Sequence, residues 1–394
     1  MGYEFSLDDV AHLRSDAGRA ALSSLADLPL TDASRLSDVR AARAVAPEHF
    51  AAVLETLLLR RRAVGRVPFA EDGLFTADAL QQATAHPVAA HRARRFTGPV
   101  HDVTCSVGAD LAALPPGSFG SDLDPVRLAM ARHNVPGAAV VRADALRPVS
   151  RGVPVLADPA RRDSAGRRTW RPADFLPPLD GLAAAYGGRD LAVKCSPGVD
   201  FAVAPWADEV ELVSLDGAVR EACLWTRGLA TAGVARRATV LSSSGAEWTI
   251  TSADPDDCPV TPPAEWLVDP DGAVVRAGLV RHYAARHGLA QLDERIAYLT
   301  GPTPPPGVRA FRVLEHGHYG EKSLKALLRA HDVGRLEILV RGLDVDPNAL
   351  RRRLKLSGSV ERTVVLTRIG REPVCLLAVA ERTQPLEQEV AHGR

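Results

Sequence analysis

The hydrophobic rhythm of the chain changes at Val100, and that change limits the possible folds more than any other feature. Before it, AGRAALSSLADL, SRLSDVRAARA, PEHFAAVLETLLLRRRAVG and TADALQQATAHPVAAHRARRF carry apolar residues at helical spacing, with no strand-like run between them. After it come VHDVTC, SFGSD, AAVVRA, VPVLAD, DLAVKC, EVELVS and RATVLSS, separated by helix-like stretches such as DPVRLAMARHN. Short runs buried on both faces and joined by helical crossovers are what a parallel sheet requires. The pattern predicts a seven-stranded, doubly wound α/β sheet over residues 96–255. A helical domain over 1–95 precedes it, with Ser6, Thr31 and Thr76 as helix caps.

A Pro- and Asp-rich stretch, SADPDDCPVTPP, closes the sheet region. Beyond it AEWLVDPDGAVVRAGLVRHYAARHGL reads as strand and helix. FRVLEHG, KSLKALLRAHD, RLEILVRG, DPNALRRRLKL, ERTVVLTRIG and PVCLLAVA then alternate as β-α-β-α-β-β, giving a third domain, α/β, over 256–385. A length of 394 residues fits several cores better than one, since single cores stop growing near ~250–300 residues. Lys+Arg and Asp+Glu both total 48, so no global charge draws the chain to nucleic acid or to an anionic membrane. Only four of the basic residues are lysines, and an Arg cluster in such a chain needs a positional reason. The five cysteines lack CxxC spacing, and neither an export signal nor a 20-residue apolar span is present. A cytoplasmic protein without bound metal or membrane contact is the expectation.

The chemistry concentrates at the strand ends. DVTCSVGAD (102–110) ends the first strand in a tight loop, where ligands of such sheets sit. Asp122 ends the second strand in FGSDLDPVR, and an acid there suits two vicinal ribose hydroxyls. Asp144 in RADA and Asp158 in LADPARRD follow the third and fourth strands. This order of loop and acids resembles the class I S-adenosylmethionine-dependent methyltransferases, over residues 98 to about 252. The resemblance implies a Rossmann-like methyltransferase sheet and S-adenosylmethionine as cofactor, with Asp102, Cys105, Ser106, Val107, Gly108, Asp122, Leu123, Asp144 and Ala145 as its contacts. The loop departs from the family pattern: Cys105 and Ser106 stand where glycines are usual, and only Gly108 remains. A dinucleotide such as NAD is disfavoured because GxGxxG is missing.

DPARR (158–162) resembles the DPPR and DPPY loops of methyltransferases that act on nucleobases. That likeness implies catalytic roles for Asp158, Pro159 and Arg161, the acid and the Pro159 carbonyl orienting a target amine. Arg162, Arg167, Arg168 and Trp170 follow, a basic segment interleaved with an aromatic that suits phosphate and base contact. KCSPGVD (194–200) loosely resembles the Cys motif of enzymes that methylate C5 of pyrimidines, where a thiolate at Cys195 would be the nucleophile and Lys194 would lower its pKa. Buried packing is the alternative for that cysteine. Residues from about 310 to 382 look like the THUMP-like domain that accompanies a group of actinobacterial methyltransferases, and Arg351, Arg352 and Arg353 there are candidate phosphate contacts. Together these features predict methylation of a base nitrogen in RNA. Two competitors remain: a noncatalytic RNA-binding protein with a degenerate methyltransferase fold, and a small-molecule methyltransferase.

Overall fold

The computed structural model describes residues 3–160 and 174–383. Six helices open the chain: α1 (Leu7–Arg14), α2 (Asp16–Ser24), α3 (Arg35–Val45), α4 (Phe50–Ala63), α5 (Ala77–Gln82) and α6 (His86–Ala93). Ser6 caps α1 in a capping box with Asp9, and Thr76 caps α5, both as predicted. Thr31 is not a cap. It exchanges hydrogen bonds with Ser34 in the turn before α3, whereas Ser15, which the sequence reading passed over, caps α2. The helices share a core around Val53, Leu57, Leu59, Leu74 and Phe75 that extends to Val107, Ala109 and Met130, so the helical layer packs directly behind the loop that follows the first strand.

The sheet strands are β1 (His101–Asp102), β2 (Phe119–Asp122), β3 (Val140–Arg142), β4 (Val155–Ala157), β5 (Leu191–Cys195), β6 (Glu209–Leu215), β7 (Ala218–Trp225), β8 (Arg236–Leu241) and β9 (Glu247–Thr251), with α7 (Pro125–Asn134) and α8 (Leu179–Ala185) between them. Their order is β3-β2-β1-β4-β5-β7-β6-β8-β9. The pairs from β3 across to β5 are parallel, and β7 runs antiparallel to both β5 and β6. Because β2 and β4 flank β1 on opposite sides, the connections diverge there, and a crevice opens beyond the carboxyl ends of these strands. All seven predicted strands are present, but the sheet has nine. The omission of β7 has a physical cause: Arg220 and Glu221 interrupt its apolar pattern, yet Glu221 is only 5% exposed because Arg92 of α6 neutralises it.

The chain divides into two compact units, Met1–Ala235 with Val240–Trp248, and Arg236–Thr239 with Thr249–Arg394. The second contains β10 (Trp266–Val268), α9 (Gly272–Ala277), α10 (Val280–His287), β11 (Ala290–Asp293), β12 (Ile296–Gly301), β13 (Arg309–His318), α11 (Glu321–Ala330), β14 (Val333–Val340), α12 (Pro347–Leu354), β15 (Val360–Ile369) and β16 (Glu372–Arg382). A seven-stranded sheet orders them β11-β12-β10-β13-β16-β15-β14, with only β14 and β15 parallel among its paired strands. From β13 onward the predicted β-α-β-α-β-β order is observed. Leu324 and Leu328 of α11 and Leu350 and Leu354 of α12 cluster with Ile338, Val364 and Leu366. The hairpin β11–β12 was not foreseen, because its alternation is too short to stand out.

Candidate active site

Beyond β1 the chain turns over the tip of the sheet through Thr104–Gly108. Ser106 has φ 48° and Gly108 φ 91°, both left-handed. A Cβ on Gly108 would lie 2.8 Å from Val135 Cγ2, so glycine is needed there for conformation and for space. Cys105 packs with Leu111 and Leu128, and the room for its thiol comes from Gly120 of β2, where an added Cβ would stand 2.7 Å from Cys105 Sγ. A glycine on the adjacent strand thus takes over space that a loop glycine would leave open. Ser106 accepts the positive φ that a glycine would adopt more cheaply, and its N–H is anchored.

That anchor is Asp122. Its Oδ2 accepts from the Ser106 N–H at 3.0 Å and its Oδ1 from the Asp124 N–H at 2.9 Å. A carboxylate has about four acceptor sites, so these two bonds fix its orientation and leave capacity for a ligand. Asp144 is held likewise by the Leu146 N–H at 2.9 Å. A cavity of about 480 Å³ lies over these groups, with Asp122 and Asp124 on its polar side. Leu123, Leu146 and Leu176 are 60%, 37% and 51% exposed, and all three line it. Apolar side chains left open at a concave site mark a surface that a ligand covers.

A second, more polar cavity of about 620 Å³ is lined by Arg66, Gln81 and Thr84 from the helical region and by Asp216, Arg220 and Ser243. The two cavities share Gln82, Ala83, Asp158 and Ala160. Asp158 follows β4; its N–H donates to Thr104 Oγ1 at 2.6 Å, and its Oδ2 accepts from Lys194 Nζ at 2.6 Å. Lys194 also donates to Asp110 Oδ2 at 2.9 Å and to Thr84 Oγ1. Three partners exhaust the three protons of an ammonium. Arg92 extends the network, pairing with Asp110 and, at 2.5 Å, with Glu221.

Burial and charge compete here, and the outcome differs by residue. Burial pulls the Lys194 pKa down, but Asp110 and Asp158 outweigh it and hold the ammonium above its ordinary range. Asp110 gains similarly: burial raises its pKa, yet Arg92 and Lys194 bring it well below the usual carboxylate range. For Glu221 burial prevails over Arg92 and the pKa is raised. Asp102, fully buried, is pushed up to about 8 by desolvation and then by the charge of Asp110. Burial and the charge of Asp110 thus both favour the protonated form of this carboxyl.

Of the residues predicted to contact cofactor, Cys105, Ser106, Val107, Asp122, Leu123, Asp144 and Ala145 line the first cavity. Asp102 and Gly108 do not. Asp102 lies beneath the loop, accepting from the Thr104 N–H at 3.1 Å, and Gly108 faces Val135. Asp158 and Pro159 line the second cavity. Arg161, Arg162, Arg167, Arg168 and Trp170 lie outside the described residues; the chain on either side is joined by a backbone bridge between Ala160 and Leu176. Lys194 directs its three protons to Thr84, Asp110 and Asp158, and Lys194 and Cys195 both line the second cavity.

Arg351, Arg352 and Arg353 sit on α12 of the second unit, and successive helix positions turn by ~100°, so they share no single face. Arg351 reaches the Leu336 carbonyl at 3.3 Å and Arg353 reaches Glu321 at 3.0 Å. Thr84, Arg92, Asp110 and Glu221 were missed as site residues. Asp110 stood in the quoted loop motif, but Arg92 was hidden among surrounding arginines and nothing local marks Thr84. Among the described residues no group of three or more His, Cys, Asp or Glu is arranged to hold a metal ion, and no helix is long and apolar enough to cross a membrane.

Comparison with known proteins adds three findings. A family described as THUMP domain-like matches residues 308–380, and one described as a domain of unknown function matches residues 6–63. Two Mycobacterium tuberculosis proteins, from strains CDC 1551 / Oshkosh and ATCC 25618 / H37Rv, are 53% identical over 335 residues, covering 81% of this chain and 92% of theirs; both are described as uncharacterised S-adenosylmethionine-dependent methyltransferases. A crystal structure from Porphyromonas gingivalis W83, provisionally described as a methyltransferase, shares the fold with a TM-score of 0.73 at 20% identity, over 96% of this chain and 99% of that one.

Proposed function

Because this chain belongs to the S-adenosylmethionine-dependent methyltransferases, we propose that it methylates a base nitrogen in RNA, with Asp158 orienting the acceptor. The first cavity fits the cofactor. Asp122 retains acceptor sites for a ribose diol, and the open faces of Leu123 and Leu146 suit a flat purine. When bound, S-adenosylmethionine supplies an electrophilic methyl on a sulfonium.

One observation carries the assignment of the acceptor side: Asp158 belongs to the walls of both cavities. An amine entering from the polar cavity would donate to Asp158, whose carboxylate keeps acceptor sites after Lys194 takes one, and to the Pro159 carbonyl. Such bonds hold the nitrogen with its lone pair ready for in-line attack. Catalysis of this kind rests on positioning. The THUMP-like match at residues 308–380 supports RNA as the substrate, through kinship with RNA-binding THUMP domains.

The test uses S-adenosylmethionine labelled in its methyl group and total RNA from cells lacking the gene, followed by mass spectrometry of nucleosides. Asp158→Ala is expected to lose nearly all transfer while binding S-adenosylhomocysteine normally, and Cys195→Ala to keep its rate. A folded, cofactor-binding Cys195→Ala protein without activity would move the acceptor to a pyrimidine carbon, which needs a thiolate adduct. Label appearing only in small metabolites would reject RNA.

A further inference from the structure

We propose that Lys194 is a positioning residue for methyl transfer, one ammonium that locks the acceptor-facing carboxylate of Asp158 to the cofactor-side loop through Asp110 and to the helical region through Thr84. The inference rests on the acceptor role given to Asp158 above. Three segments distant in sequence meet at the one Nζ atom: the α5–α6 connection, the loop after β1, and the end of β4. Asp110 lines the first cavity and Asp158 both, so Lys194 bridges the wall between methyl donor and acceptor.

Residue type and burial point the same way. In a chain with four lysines among 48 basic residues, this buried cation is a lysine. A compact ammonium can aim three protons at three partners around a point, which the planar fork of an arginine cannot. Arg92, in the same network, bridges Asp110 and Glu221. The side chains of Arg92, Glu221, Lys194 and Asp110 are between 2% and 11% exposed, whereas that of Asp158 is 37% exposed. Asp158 is thus the most exposed carboxylate of this network, and it faces both cavities. Stability alone is a poor reason for such a network, since an apolar cluster of equal volume is often as stable.

A double-mutant cycle tests it, with label transfer to total RNA from cells lacking the gene as readout. Lys194→Met should lower kcat on the order of 10²-fold, the scale of a misplaced reacting group, with KM and S-adenosylhomocysteine affinity unchanged. Asp158→Asn keeps a carbonyl acceptor and removes the charge that Lys194 balances, so the double variant should be no slower than Asp158→Asn alone. Multiplying losses, or a rise in KM, would make Lys194 a merely structural or substrate-contacting residue and overturn the proposal. Should Lys194→Met fail to fold, Thr84→Val removes one partner of the ammonium and must show the same dependence on Asp158. A crystal structure of the folded variant provides a readout independent of substrate: the Asp158 carboxylate should shift, and an unmoved carboxylate rejects the role. A wild-type protein that labels no RNA would overturn the RNA reading while this structural result still decides the positioning.

Discussion

Asp102 and Asp122 are both acids near the tips of adjacent strands, and their surroundings give them opposite properties. Asp102 is fully buried with its pKa at about 8, above its value in the unfolded chain, so the folded protein holds a proton that unfolding releases. Its contribution to stability is present in full below the ordinary carboxylate range and is lost as pH rises through about 8, with a slope of about 1.4 kcal/mol per pH unit in between. Asp102→Asn fixes the neutral form. Urea unfolding at several pH values should show the variant gaining on the wild type toward pH 8, and parallel curves would remove Asp102 from the titration. Asp122, whose bonds to Ser106 and Asp124 leave it facing the first cavity, should matter for binding instead. Asp122→Ala should weaken S-adenosylhomocysteine binding by one or two charge-assisted hydrogen bonds, each roughly 1–3 kcal/mol, with the fold retained. Unchanged affinity in calorimetry would reject the ribose assignment.

Among elements, the β1–β2 connection shows how a loop with few glycines is accommodated. Cys105 fits only because Gly120 has no side chain, and the two Cβ atoms would otherwise stand 2.7 Å apart. Gly120→Ala should therefore cost about 1–3 kcal/mol through overpacking, seen as a lowered Tm. Adding Cys105→Gly should recover stability relative to the single variant, and a single variant as stable as the wild type would refute the steric link. Strand β7 teaches a related lesson. Its Arg220 and Glu221 break the apolar pattern that sequence reading follows, and the buried Glu221 is paired with Arg92, 129 positions away. Helix α12 is the converse case: its limits and its basic composition were legible, but the directions of Arg351 and Arg353 were set by Leu336 and Glu321.

For the whole molecule, the proposal that RNA is the substrate predicts that Arg351, Arg352 and Arg353 replaced together by Ala will reduce RNA affinity. The salt dependence should flatten by up to ~0.7 log units per lost phosphate contact on single strands. Since two of the three already hold partners within the unit, fewer than three contacts should be lost, and an unchanged slope would place the RNA elsewhere. The sequence by itself determined the α/β class, the strands from β1 to β6, the succession of acids at their tips, and the β-α-β-α-β-β order near the C-terminus. These follow from periodicity and local chemistry, which act over a few residues. Only the tertiary structure decided that Asp158 would face two cavities, that Asp102 would be buried beneath the loop, and that Lys194 would bind Thr84, Asp110 and Asp158. Those outcomes depend on which distant charges share a low-dielectric interior, and no local pattern records which partners the fold will bring within 3 Å.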